Sequence, residues 1–355
     1  MIVNGTPHRT VWIEGSTVRM INQPLIPHRF EIVDLPDHRA TAEAIRTMVV
    51  RGAGAIGATA GYAMAQVVLE APDNGDFASY VESGAETVRK TRPTAQNLFY
   101  AVDRVMRAAM GTESVVAARR ASIETAQAIA DEDAASCEAI GRHGAHLIKD
   151  GMKVLTHCNA GWLAFVDWGS ALAPVYAAKR QGRKAFVFAD ETRPRCQGAR
   201  LTAWELNNEG IDHAIIVDNA SGYLMRLGRV DMIIVGSDRI ASNGDVVNKI
   251  GTYEKAVVAR ELGLPFYVAA PTSTIDPDTP SGDDVPIEER SEDEVLYMHG
   301  RLDDGEYGRV RIAPQGCRAL NLAFDVTPAK YIRGIITQHG ILEPAEIMKA
   351  LDQGA

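Results

Sequence analysis

No CxxC pair occurs in this sequence, and its four cysteines (Cys137, Cys158, Cys196, Cys317) are scattered along 355 residues. That argues against a disulfide framework and against a thiolate zinc site. A reducing, cytoplasmic setting is the simplest expectation. No apolar run reaches the ~18 residues that a membrane span needs, and "MIVNGTPHRTVWIEGS" lacks the apolar core of a cleavable leader. Positive charge is in short supply. Lys and Arg number 37 against 46 Asp and Glu, for a formal charge of -9, so there is no global basic field for nucleic acid. Arginines gathered in one cleft could still hold a small anion. GxSxG, HExxH and a Walker loop are all absent, which removes three familiar catalytic readings. His143 and His146 share a helical face and His157 precedes Cys158, but their spacing is not that of an organised ligand set. No metal is expected.

What is present is ordinary globular composition, 46% hydrophobic and 23% charged. The length suggests two domains, drawn here as residues 1–125 and 126–355. Residues 10–35 alternate like short strands. From Thr41 to about Met110 the pattern is helical, interrupted by "RGAGAIG", "APDNGD" and "TRP", and a long Ala-rich helical stretch follows to about Lys149. After Gly151 short apolar runs alternate with helical segments. The runs are "KVLTHC", "KAFVFAD", "HAIIVDN", "MIIVGSD" and "PFYVAAP". That alternation predicts a parallel sheet covered on both faces. The fold class is α/β: a Rossmann-like parallel-sheet C-terminal domain with a smaller N-terminal domain of short strands and helices.

Ligands of such sheets bind outside the carboxyl ends of the strands. There the sequence delivers Cys158-Asn159, Asp190-Glu191, Asp218-Asn219, Asp238-Arg239 and "APTST" (270–274). Asp and Asn also favour turns and caps at such places. Cysteine is no helix cap, so Cys158 is harder to explain that way.

"GAGAIG" (52–57) has the letters of a dinucleotide fingerprint. Such a loop should follow a strand, whereas "TAEAIRTMVV" reads as helix at least as well. Its glycines, the following helix N-terminus and Arg51 could instead grip a phosphate, or simply allow close helix packing. "TRPTAQN" places Arg92 at a helix entrance, with Pro93 and Thr94 as punctuation. "DETRPRCQGARLTAWEL" carries Gln197 among acids and arginines. In "GSDRIASNGDVVNKIGTY" we expect a strand-end Asp238, a turn, then Asn248 and Lys249 in a helix. There Lys249 could neutralise a phosphate and Asn248 bond a sugar hydroxyl; a solvated helix surface is the alternative.

Taken together, "RGAGAIG", "RPTAQNLFYAVDR", "THCNAG", "FADETRPRCQGARLTAWEL", "DNASGYLM", "VGSDRIASNGDVVNKIGTY", "PFYVAAPTSTID", "SGDDVPIEER" and "AFDVTP" resemble the methylthioribose-1-phosphate isomerase family over about residues 10–340. The resemblance implies an aldose–ketose isomerase of methionine salvage. It would need no metal or organic cofactor and would usually be dimeric, with its site in the cleft between the two domains. It implies Cys158 and Asp238 as the catalytic pair, with Asp238 as proton donor. Arg51, Gly52, Ala53, Arg92, Gln197, Asn248 and Lys249 would meet the substrate.

The family usually reads "RGAPAIG"; here Gly54 stands in place of the proline. "NLAFD" (321–325) replaces "NPAFD", and Trp162 and Trp168 stand where many members have smaller residues, which suggests a reshaped pocket around the 5-substituent. The rival readings are an isomerase of 5-deoxyribose 1-phosphate or ribose 1,5-bisphosphate, a non-catalytic regulatory subunit of the same fold, and a nicotinamide dehydrogenase resting on "GAGAIG" alone.

Overall fold

A computed structural model describes residues 1–92 and 95–352. Pro93 and Thr94, read above as punctuation, lie outside the described residues. The chain divides into two compact units. The first comprises Met1–Pro24, Phe30–Glu138 and Trp162–Gly169, the second Leu25–Arg29, Ala139–Gly161 and Ser170–Ala355.

In the first unit the helix Ala53–Glu70 is buried at every position from 54 to 68. A helix apolar all round must be enclosed, and its small residues let neighbours approach closely. His38–Arg46, Phe77–Arg89 and Gln96–Met110 pack against it, each presenting one buried stripe. An antiparallel meander of Val11–Glu14, Thr17–Ile21 and Ile32–Leu35 is tied to that helix by buried Gln66. Its Nε2 donates to Ser16 O and Leu35 O, both at 2.9 Å, and its Oε1 accepts from Thr41 Oγ1 at 2.6 Å. A buried amide so completely satisfied fixes its neighbours in place. The helix Val115–Ala145 contains the boundary between the units.

The second unit is built on a seven-stranded sheet. Its order is Gly340–Leu342, Gly334–Thr337, Phe266–Ala269, Met232–Val235, Met152–Thr156, Ala185–Asp190 and His213–Ile216. All pairings are parallel except that of the edge strand Gly340–Leu342. The interior strands Met232–Val235 and Gly334–Thr337 are buried throughout, as expected of a sheet covered on both faces.

The chain lays down Met152–Thr156 first and adds two strands on one side. It then returns to add Met232–Val235 and its successors on the other. This is the doubly wound order, and its reversal lies between Met152–Thr156 and Met232–Val235, where such folds bind ligands. Those two strands lead into Cys158 and Asp238.

One expected element differs. Asn248 and Lys249 lie on the strand Val246–Lys249, not in a helix. That strand sits in a four-stranded sheet between Arg239–Ala241 and Phe324–Thr327. Two adjacent valines favour strand, and Gly251, at φ 97°, turns the chain before the helix Thr252–Glu261 begins. A residue with a side chain rarely adopts that conformation.

Candidate active site

The strand Met152–Thr156 ends in His157 and Cys158. His157 is buried; its Nε2 donates to Ile250 O at 2.8 Å and its Nδ1 lies 2.8 Å from Asp190 Oδ2. Lys255, also buried, places its ammonium 3.2 Å from the same oxygen. The Asp190 carboxylate is thus buried together with opposite charge, without which its desolvation would be prohibitive.

Cys158 turns the other way. It sits at φ 64° and its thiol donates to Gln197 Oε1 at 3.4 Å. Asn159 is buried and structural. Its Nδ2 donates to Glu205 Oε1 at 2.8 Å and to Thr202 Oγ1 at 3.2 Å, and Tyr176 OH donates to Glu205 Oε2 at 2.7 Å.

Asp238 leaves the strand Met232–Val235 through Gly236 and Ser237. It is half-buried, and its N–H donates to Val247 O at 2.9 Å. This places it beside the strand that carries Asn248 and Lys249. Asn248 is buried and its Nδ2 donates to Thr252 Oγ1 at 3.0 Å. Lys249 is buried, donates to Ala323 O at 2.7 Å, and lies 4.5 Å over the Phe324 ring. Burial and the nearby Arg290 guanidinium push its ammonium down to about 8, while Cys158, Asp238 and Glu294 pull it upward. Lys249, Cys158 and Asp238 therefore share one electrostatic neighbourhood. Gln197 joins them through the thiol.

Asp218 serves as a turn cap, as Asp often does at strand ends: its two oxygens accept from Thr192 N and Arg193 N, each at 2.7 Å. Among the described residues one acid–histidine group brings its ligand atoms within 4.8 Å of one another: His157, Asp190 and Asp218. These atoms already serve the contacts above, with Lys255 supplying the cation. Exposed His146 and half-buried His143 do not belong to that group.

Arg51, Gly52, Ala53 and Arg92 belong to the first unit. Arg51 is buried, with its Nε 3.5 Å from Gln23 Oε1, and Gln23 Nε2 donates to Leu163 O at 2.8 Å. Gly52 precedes the helix at φ 92°, and a Cβ there would stand 2.4 Å from Ala164 Cα. Ala53 is the first helical residue and Arg92 is half-buried. The chain enters this loop from the helix His38–Arg46 through a turn, so the strand that a dinucleotide fingerprint requires is not there.

Trp162 is 0% exposed and has no surface to offer a ligand. Trp168 packs on the Cys137, Ala164 and Phe165 cluster. Any effect of Trp162 on a pocket is therefore exerted through its packing and not through its own surface.

Sequence reasoning passed over Arg290, Thr192 and Thr202. Arg290 lies 5.4 Å over the same Phe324 ring as Lys249 and pairs with Glu288 at 2.8 Å. Its signal was the arginine ending "SGDDVPIEER", a segment with no periodicity to place it.

An α/β chain with a doubly wound sheet, and with a thiol and a carboxyl on the two strands at its switch point, belongs to a recognisable class. The chain is a member of the Initiation factor 2 subunit family, which it matches over residues 49–344. A methylthioribose-1-phosphate isomerase from Methylocella silvestris is 49% identical over 357 residues, spanning 97% of this chain and 96% of its own. The crystal structure of 5-methylthioribose 1-phosphate isomerase from Pyrococcus horikoshii superposes with a TM-score of 0.86 at 42% identity, covering 99% of this chain and 97% of that one. A translation initiation factor eIF-2B delta subunit from A. fulgidus superposes with a TM-score of 0.83 at 38% identity, covering 98% and 100%.

Proposed function

We propose that this chain is the aldose–ketose isomerase that converts 5-methylthioribose 1-phosphate to 5-methylthioribulose 1-phosphate in methionine salvage. The observation that carries the reading is the pairing of Cys158 and Asp238 on the two switch-point strands, with Lys249 electrostatically coupled to both. Near-full-length similarity to isomerases supports it. A purely regulatory subunit has no use for a thiol and a carboxyl placed in this way.

The chemistry follows from the substrate. A sugar 1-phosphate has no free aldehyde, so the ring must open with the phosphate in place. Asp238 donates a proton to the ring oxygen as the bond from C1 to that oxygen breaks. The C2 hydrogen then moves to C1, and the C2 hydroxyl passes its proton to the Asp238 carboxylate as the ketone forms, which restores the acid. Two routes satisfy that balance. In one, Cys158 as thiolate removes the C2 hydrogen as a proton through an enediol-like intermediate. In the other it shifts to C1 as hydride. The resemblance assigns substrate contacts to Arg51, Gly52, Ala53, Arg92, Gln197, Asn248 and Lys249; buried cations such as Arg51 and Lys249 suit a phosphate.

Asp238→Asn keeps shape and hydrogen bonding but has no acidic proton. Loss of a general acid costs roughly 10²–10⁴-fold, so kcat should fall by that order with thermal unfolding little changed. Cys158→Ser should be nearly inactive. Near-normal kcat in either folded variant removes that residue from the chemistry.

The same reading makes the enzyme a cytoplasmic homodimer. Its four cysteines are all free, which suits a reducing compartment. Ile215 on the edge strand, Val217, Tyr223 and Leu227 are each at least half exposed, apolar surface of the kind that subunit contacts cover. Light scattering should give twice the chain mass of 38.4 kDa; a monomer at working concentration contradicts this.

A further inference from the structure

We propose that Thr192 is a positioning residue for the reacting thiol: its hydroxyl, itself anchored through Asp218, locks Cys158 in the conformation that aims Sγ at Gln197. The inference rests on the reading of Cys158 as a reacting group.

Cys158 has φ 64°, a region that residues with a Cβ avoid. Something must hold it there, and both its peptide groups are held. Its N–H donates to Thr192 Oγ1 at 2.8 Å, and its carbonyl accepts from Thr202 Oγ1 at 2.7 Å. Two bonds that fix the N–H and the C=O of one residue fix its φ and ψ, and with them the direction of Cβ.

The hydroxyl of Thr192 has no freedom to do otherwise. It spends its proton on Asp190 O at 3.1 Å, which leaves its lone pairs to accept from Cys158. Thr192 is 1% exposed and sits at φ 63°, a place where a β-branched residue is a true outlier. A bare turn there would favour glycine or asparagine. The strained conformation is held because Thr192 N and Arg193 N both donate to the Asp218 carboxylate at 2.7 Å.

Three neighbouring strand ends are thereby linked in order. Asp218, following His213–Ile216, supports Thr192, which follows Ala185–Asp190. Thr192 supports Cys158, which follows Met152–Thr156. Strain at a site that its surroundings over-determine is typical of a preorganised functional group.

The test compares Thr192→Val, Thr192→Ala and Thr192→Ser, with Cys158→Ser assayed in parallel. Valine keeps the branch but not the hydroxyl, alanine removes both, and serine keeps the hydroxyl without the branch; all three place a Cβ in the same strained region. Small misplacement of a reacting group costs up to about 10²-fold. Valine and alanine should therefore lower kcat by about 10- to 100-fold with KM within about threefold. They should also change the pH profile of iodoacetamide alkylation, followed at the Cys158 peptide by mass spectrometry. Serine should restore both to near the unmodified enzyme. Alanine keeps the comparison open if valine does not fold. Wild-type kcat and alkylation in the valine or alanine variant, or equal impairment in the serine variant, overturns the proposal. An inactive Cys158→Ser beside an active valine variant removes only the positioning role. An active Cys158→Ser removes the reading of Cys158 and this proposal with it.

Discussion

Lys249 carries a buried ammonium whose loss of hydration, together with the Arg290 charge, holds it at about 8 against an ordinary 10.5. In its proposed role Lys249 presents a cation to the substrate phosphate below about pH 8 and a neutral amine above it. The ratio kcat/KM reports the free enzyme, so it should fall as pH rises through about 8. The stability effect has the opposite sign. Between about 8 and 10.5 the unfolded chain binds a proton that the folded one does not, so stability gains from this residue as pH rises across that window. Lys249→Met should lose roughly 10- to 150-fold in affinity at pH 7, the worth of a charge-assisted contact, and should lack the step near 8. A flat wild-type profile from pH 7 to 9 contradicts the assignment. At this scale the strand-end placement of Cys158 and Asp238 was legible because strand ends announce themselves by an apolar run followed by a polar residue. Thr192 and Arg290 were not. Their roles depend on partners distant in sequence, Asp218 and Phe324, and one sequence carries no record of such pairs.

Among the elements, the helix Ala53–Glu70 shows how a local departure is accommodated. The family's usual proline is replaced by Gly54, and the structure gives a reason. A Cβ at this position would lie 2.2 Å from Asp133 Oδ1 and 2.4 Å from Phe165 Cδ1. The Asp133 carboxyl fills that space, accepting from Val166 N at 2.7 Å, and burial pushes it up to about 7. Overpacking of this kind costs about 1–3 kcal/mol, so Gly54→Ala should lower thermal stability. Asp133→Ala should relieve part of that penalty. Residues in contact couple by about 0.5–3 kcal/mol, and a double-mutant cycle measured in denaturant should find coupling in that range. Strict additivity would show that the two do not compete for space. Five of the six parallel strands were legible as elements because each is a short apolar run between helical segments; Gly334–Thr337 was not read, because the segment after residue 271 shows no such alternation. Asn248 and Lys249 were read as the start of a helix because the four-residue strand Val246–Lys249 gives too little pattern to separate the two periods. The glycine that ends it looks from sequence like a helix interior.

For the molecule as a whole, the parallel sheet predicted from alternating runs explains why five strand-end segments became candidates together, and the doubly wound strand order is what the structure adds. It also sorts them. Asp190 pairs with the buried Lys255 ammonium, Asp218 caps a loop, and Cys158 and Asp238 occupy the switch point. What the sheet does not encode is the group at C5 of the sugar. The most direct measurement is kcat/KM of the purified enzyme on three 1-phosphates that differ only at C5, bearing methylthio, hydrogen or phosphate, with ketose formation followed by a coupled assay. The account predicts that 5-methylthioribose 1-phosphate is turned over with the highest kcat/KM and that ribose 1,5-bisphosphate is the poorer substrate. Equal or reversed values for those two, or no ketose from any of the three, would contradict it.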